Sequence, residues 1–253
     1  MVAKTDFYNI KVNVLNQDEA LSCIRDILFQ DPHKNIFFLN AHCFNLAQKH
    51  SKYFNALHRS DFLLNDGMGI SIAARFKGIK FPDNLNGTDF IPLIIKEGVA
   101  GNKTFYLLGT KDHILEKTKV NLETNFPGMK ILGMHNGFFS EAENKDIINE
   151  INELKVDIII VGMGVPLQEI WIHENKNKLP DVSLFVAGGA IFDFLSGTIS
   201  RAPVWMRKLR IEWIYRLCLE PKRMWKRYIL GNILFFFHLL KHQIKDFTKI
   251  FSK

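Results

Sequence analysis

Short, almost wholly apolar runs alternate along this chain with longer segments whose apolar residues recur every three or four positions. Residues 35–39 (NIFFL), 61–65 (DFLLN), 103–108 (KTFYLL), 130–133 (KILG), 156–161 (VDIIIV) and 183–187 (SLFVA) have the length and content of strands. Residues 41–57, 70–78, 113–125 and 141–154 carry the helical period. Two more helices follow the turns Gly162-Met163-Gly164 and Gly188-Gly189, the first with Pro166 near its first turn, a favoured place for proline. Repeated strand–glycine–helix units with near-continuous apolar strands predict an α/β fold. Its sheet is Rossmann-like and mostly parallel, with helices on both faces.

Beyond residue 200 the pattern changes. Residues 203–219 read as one helix, and a second starts at Pro221 because Glu220 before it is biased away from helical geometry. Ile233, Phe237, Leu240, Ile244, Phe247 and Phe251 then recur on one apolar face, with Lys241, Lys245 and Lys249 beside it. Such a helix suits an anionic membrane surface, or docking on its own core or on a second subunit. The chain is therefore divided into an α/β region, residues 1–200, and a basic helical appendage, residues 201–253.

Charge sharpens that division. The 253 residues carry a net +7, yet residues 201–253 hold 13 Lys or Arg against 3 Asp or Glu, leaving the first 200 residues at −3. Basicity confined to one tail points to a specific anionic partner. Nucleic acid fits poorly, because the charge is interleaved with Leu, Ile, Trp and Phe at helical spacing and no known nucleic-acid module is present. The three cysteines include no CxxC, which suits a reducing compartment and neither a disulfide framework nor zinc. Residues 229–240 are too short an apolar stretch to span a bilayer, which takes about 20 residues. The first residues lack the apolar core of a signal peptide.

Three sets of residues could carry chemistry. Asp66 follows a strand and precedes Gly67, so it belongs at the carboxyl edge of the sheet, where open α/β folds bind ligands. There it serves as a general base, or else caps the next helix. The turns at Gly109 and at Gly162 and Gly164 could aim backbone N–H groups at a phosphate, or could simply allow helix and sheet to pack closely. The second of these lacks the third glycine of a dinucleotide fingerprint, which argues against a nucleotide-dependent oxidoreductase. Gln168 and Glu169 sit in the next first turn as possible ligand contacts or as residues complementing the helix dipole. Arg201, Arg207, Arg210, Arg216, Arg223 and Arg227 form the cationic set, able to bind phosphate oxygens in bidentate fashion or to form a solvated surface. No DxD, HExxH, GxSxG or P-loop is present and the histidines show no ligand spacing, so neither metal nor cofactor is expected.

LLNDGMGI, TFYLLGT, PGMKILGMHNGFF, VGMGVPLQEIWI and GGAIFDFLSGTISRAPVWMRKLRIEWIYRLCLEPKRMWKRY follow in the order and spacing of the WecG/TagA/CpsF glycosyltransferases. The chain resembles that family over about residues 35–232. The resemblance implies an inverting, metal-independent transfer of an N-acetylmannosamine-type sugar from a UDP-sugar to an undecaprenyl-diphosphate-linked sugar. The reaction would occur on the inner face of the bacterial membrane, for teichoic acid, capsule or other surface polysaccharide. It makes Asp66 the catalytic base and places Asn40 and Gln168 in the pocket. Arg216, Arg223 and Arg227 would belong to an appendage that closes over the site at the membrane. Phe38 stands where the family often has threonine and Asn84 where arginine is common, so the donor sugar is left open. A homologue that only binds nucleotide sugars at a membrane remains the non-enzymatic alternative.

Overall fold

The computed structural model describes residues 2–209 and 211–251, without the side chains of Lys208, Arg223, Lys245, Asp246, Phe247, Lys249, Ile250 and Phe251. Arg210 and the side chains of Arg223, Lys245, Phe247, Lys249 and Phe251, all part of the expectations above, thus lie outside the described residues.

The chain opens with an antiparallel hairpin of β1 (Lys4–Phe7) and β2 (Ile10–Asn13), followed by α1 (Gln17–Phe29). The hairpin strands are only four residues long, whereas α1 buries Ala20, Ile24, Ile27 and Leu28 at helical spacing. A capping box fixes the start of α1: Asn16 accepts from the Glu19 amide, and Glu19 accepts from the Asn16 amide. Six strands then form one sheet: β3 (Lys34–Leu39), β4 (Phe62–Asn65), β5 (Thr104–Gly109), β6 (Lys130–His135), β7 (Ile158–Gly162) and β8 (Leu184–Ala187). Their order is β4-β3-β8-β7-β5-β6 and every pairing is parallel. The fold is thus a Rossmann-like α/β architecture.

Alternate residues of each strand feed two separate cores. Phe37, Leu39, Tyr106, Leu108, Ile159, Val161, Phe185 and Ala187 pack on one face, while Ile36, Phe38, Phe105, Leu107, Ile158, Ile160, Leu184 and Val186 pack on the other. Because both faces are covered, neither set is polar, and the strands read as continuous apolar runs. The first face is covered by α2 (Ala41–Ala47), α3 (Ser51–His58), α4 (Met68–Arg75), α7 (Glu141–Leu154) and α8 (Leu167–Asn175). The second is covered by α1, α5 (Gly87–Ala100), α6 (Asp112–Asn125) and α9 (Ile191–Leu195).

Two long expected helices are each broken. The segment 41–57 divides into α2 and α3 because His50 adopts an extended backbone (φ −118°, ψ 100°) ahead of Ser51. The segment 203–219 divides into α10 (Val204–Lys208) and α11 (Glu212–Leu219). The Ile211 amide there closes back on the Met206 carbonyl, and the Glu212 carboxylate is held by Arg201. The division at Pro221 is present: Glu220 leaves helical geometry (φ −130°, ψ 61°) and α12 (Pro221–Trp225) starts at the proline. A π-helical turn, Lys226–Leu230, runs directly into α13 (Gly231–Phe251).

Helix α13 is apolar on two sides. Phe235 and Leu239 are buried against the core, with the Phe235 ring edge-on to Phe44 at 5.3 Å. Asn45 of α2 donates to the Gly231 carbonyl at 2.7 Å, tying the helix start to the fold. Ile233, Phe237, Leu240 and Ile244, the stripe legible in sequence, face outward and are exposed. No helix among the described residues is long and apolar enough to cross a membrane.

At the carboxyl edge, β5 and β7 approach so closely that Gly109 (φ +141°) has no room for a side chain. An added Cβ would lie 2.4 Å from the Gly162 carbonyl. Gly109→Ala combines that collision with left-handed strain, and is expected to destabilise the protein by about 2–4 kcal/mol. A urea-denaturation midpoint unchanged from wild type would refute this.

Candidate active site

The loops at the carboxyl ends of β3, β4, β7 and β8 enclose two adjoining cavities, of ≈ 480 Å³ and ≈ 340 Å³. Asn40, Asp66, Thr88, Phe194, Arg216 and Arg227 line both and so form their common wall. The larger cavity continues over the glycine turns 162–164 and 188–189. The smaller opens between α4 and the C-terminal helices, past Trp213, Tyr228 and Phe236.

Asn40 follows β3 and Asp66 follows β4, and the parallel pairing of those strands sets Leu39 beside Asn65. Asn40 uses both ends of its amide: Oδ1 accepts from the Cys43 amide, capping α2, and Nδ2 donates to Asp66 Oδ2 at 3.1 Å. Asp66 itself caps nothing, since α4 starts from Gly67 without a side-chain cap. Burial pushes the Asp66 carboxyl above the usual carboxylate range. The Asn40 hydrogen bond and the charges of Arg227 and Arg216 hold part of that rise back, while Glu212 adds to it. The outcome is a carboxylate of raised basicity with one oxygen engaged and the cavities beside it. Asn84 accepts from the Gly67 amide at 2.7 Å and so fixes the turn that carries Asp66. His42 of the smaller cavity is lowered to about 4, by burial and then by Arg227, and is neutral near pH 7.

The arginines divide by what they touch. Arg201 bonds to Glu212, Asp89 and the Thr88 carbonyl, joining the start of the appendage to α5 and α11. Arg207 donates to the Ala202 carbonyl and lies 3.8 Å from Asp89. Arg216 and Arg227 differ: Nε and Nη2 of Arg216 and Nε of Arg227 are buried without a hydrogen-bond partner on the common wall. The Arg216 guanidinium lies 5.0 Å from the centre of the Phe194 ring, which holds its plane. Buried guanidinium N–H groups that lack partners are placed to receive an acceptor, and their charge favours an anionic one. The Arg223 side chain is outside the described residues.

The glycine turns shape the larger cavity more than they solvate it. Gly162 and Gly164 line it, whereas Gly109 does not and its neighbour Thr110 does. The amides of Gly164 and Gly189 both donate to Gln168 Oε1, at 3.2 and 2.8 Å, and those of Gly137 and Gly188 bond to Thr110 and Val161 carbonyls. Gln168 is therefore a strut between two turns as well as a lining residue. Phe38 supplies an apolar part of the same wall, packed against Gly87.

Of the two alternatives for Glu169, a ligand contact or a complement to the helix dipole, the structure places it at the cavity. It is 1 % exposed, lines the larger cavity, and is raised to about 7 by burial. The signal was available in the spacing: Gln168 and Glu169 stand one turn before Ile172 and Trp171, on the helix face that packs inward. Among the described residues, no group of three His, Cys, Asp or Glu could hold a metal ion.

The class is specified by comparison with known proteins. Residues 5–249 match the glycosyl transferase WecG/TagA/CpsF family, and the chain belongs to that family. Its relatives include the N-acetylglucosaminyldiphosphoundecaprenol N-acetyl-beta-D-mannosaminyltransferase of Bacillus subtilis (strain 168), 31% identical over 72% of this chain and 69% of that enzyme. The enzyme of the same name from Staphylococcus aureus (strain NCTC 8325) is 25% identical over 88% of this chain and 87% of its own length.

Proposed function

We propose that the protein is an inverting glycosyltransferase that moves a hexose from a UDP-sugar to an undecaprenyl-diphosphate-linked sugar, without a metal, in synthesis of a bacterial surface polysaccharide. The observation that carries this reading is Asp66 on the wall between two cavities, beside two arginines whose buried N–H groups lack partners. The UDP-sugar takes the larger cavity and the acceptor sugar the smaller. The acceptor hydroxyl oxygen attacks the anomeric carbon while its proton passes to the Asp66 carboxylate. The bond from the anomeric carbon to the diphosphate oxygen breaks, and its electron pair leaves with UDP. Arg216 and Arg227 meet the charge that grows on that oxygen. One displacement inverts the anomeric centre.

Phe38 and Asn84 bear on the substrates. Phe38 lines the larger cavity and offers no hydroxyl to the donor sugar, while Asn84 lines the smaller cavity with its carbonyl oxygen engaged by the Gly67 amide. The donor is an N-acetylmannosamine-type or related hexose. A panel of UDP-sugars with a short-chain lipid-diphosphate N-acetylglucosamine acceptor tests the function. One donor is expected to release UDP only when acceptor is present, giving a product of inverted configuration. Failure of every donor, or binding of NAD(P) instead, would sink the proposal.

The acceptor's lipid accounts for the appendage. Of the 20 exposed large apolar side chains among the described residues, 13 follow Pro203, and two of these, Trp213 and Phe236, line the smaller cavity. We place that surface on the inner leaflet, as a peripheral contact of a cytoplasmic enzyme. Removing α13 would uncover the core through Phe235 and Leu239, so the test is Ile233→Ser with Phe237→Ser and Leu240→Ser. At about 0.5 kcal/mol or more per partly inserted side chain, affinity for anionic vesicles should fall at least about tenfold. Unchanged co-sedimentation would remove the membrane role of this face. A homo-oligomer formed through the same face would instead show as a change in sedimentation coefficient.

A further inference from the structure

Glu169 lies on the floor of the larger cavity with one carboxylate oxygen engaged and one not. Its Oε1 accepts from Gln168 Nε2 at 2.8 Å, while Oε2 is buried with no partner. That hydrogen bond decides how the Gln168 amide is turned. With Nε2 held by Glu169, Oε1 points the other way and collects the Gly164 and Gly189 amides, so the two turns are joined through one oxygen. The carboxyl thus stands behind the strut that shapes the cavity.

Among the described residues, no cation pairs with it. The groups facing Glu169 are the Cys43 thiol of α2 and the Tyr53 hydroxyl of α3, both held neutral by burial. Across the cavity stand Asp66, Asp193, Arg216 and Arg227. His173 lies one turn further along α8. An ionised carboxylate buried without a cation is costly, whereas the neutral acid keeps Oε1 as an acceptor and gives Oε2 a proton to donate. The site is therefore suited to a neutral carboxyl, and burial pushes Glu169 in that direction, up to about 7.

We propose that Glu169 is a positioning residue that works protonated, holding Gln168 across the glycine turns and taking up a proton when the donor's diphosphate binds. The inference rests on the larger cavity being the UDP site. A diphosphate brought into that cavity disfavours a second negative charge nearby, so the bound state holds the proton more firmly than the free state. By linkage, UDP binding then draws protons from solution at any pH where the free protein is partly ionised. Near pH 7 that amounts to about half a proton per UDP, falling toward zero near pH 5, where the carboxyl is already protonated.

Titration calorimetry of UDP in two buffers of different ionisation enthalpy reads the number directly. The wild-type protein and Glu169→Gln are compared, because UDP and Asp66 contribute their own protons equally to both. The wild type is expected to take up about half a proton more than the variant at pH 7, with the difference vanishing near pH 5. In kcat/KM profiles, the wild type should lose activity as pH rises above about 7, and Glu169→Gln should lose that alkaline limb. Glu169→Ala, which leaves Gln168 Nε2 without its acceptor, should lower kcat/KM at every pH. Equal proton uptake by wild type and Glu169→Gln would overturn the proposal while leaving the UDP site intact. No UDP binding by wild type would overturn the proposal together with the reading of the cavity on which it rests.

Discussion

Asp66→Asn is expected to lower kcat by about 10²- to 10⁴-fold while the protein remains folded. The fold tolerates the change because the new amide can present its oxygen to Asn40 Nδ2, keeping the side-chain hydrogen bond that Asp66 makes across the strands. What it loses is the ability to accept the acceptor's proton. Stability should move the other way. The folded-state value of Asp66 is raised, so its contribution to stability is present below the unfolded carboxylate value and lost as pH rises through the folded one. At neutral pH the wild type carries the cost of the buried charge and the asparagine variant does not. Single-turnover rates and thermal unfolding at pH 7 together check the pair of effects. The wild type should also gain activity as pH rises through a value above the usual carboxylate range, and the variant's residual activity should lack that limb. Near-normal turnover by a folded Asp66→Asn protein would remove the general base from the mechanism.

Arg216→Gln and Arg227→Gln should each lower kcat by about 10²- to 10³-fold, the usual cost of removing one donor aimed at developing charge. Their guanidinium N–H groups are already desolvated and unpartnered, so the protein bears the cost before the ligand arrives and recovers it when the diphosphate does. The loss should fall on kcat more than on KM, because the charge they meet is largest as the bond to UDP breaks. Lysine at either position should restore only part of the rate, since a point charge does not reproduce a planar set of donors. The double variant should fall short of the product of the single effects, because both groups face one ligand. Arg201→Gln offers a contrast. It breaks the ties to Asp89 and Glu212 that seat α11, so it should loosen the appendage as well as slow turnover. A loss of less than threefold at both Arg216 and Arg227 would take the diphosphate away from the common wall.

Much of this arrangement was legible in the chain itself. The strands could be found because a sheet covered on both faces has no polar positions to interrupt them. Asp66 could be placed at the sheet's edge because Gly67 ends the apolar run before a helical period resumes. Pro221 marked a boundary through its effect on the residue before it. The β1–β2 hairpin and α5 were not legible. The hairpin strands are four residues long, and α5 begins in a Pro- and Asn-rich stretch with its own proline at Pro92.

Local chemistry, then, determined the fold class, the carboxylate at the strand end and the basic, apolar character of the tail, because periodicity, turn residues and charge act over a few neighbouring positions. Contacts between distant residues decided the rest. Arg201 and Arg216 look alike in sequence, yet Glu212 and Asp89, the latter 112 positions away, pair with Arg201, while Arg216 faces the cavities. The outward stripe of Ile233, Phe237, Leu240 and Ile244 was legible, but the second side of α13, with Phe235 and Leu239 buried, exists only through packing against Phe44 and the core. Glu169 could be a ligand contact or a complement to the helix dipole, and its burial was decided only when α2 and α3 closed over it. Burial and pairing are properties of the surroundings, and the surroundings exist only once the chain has packed.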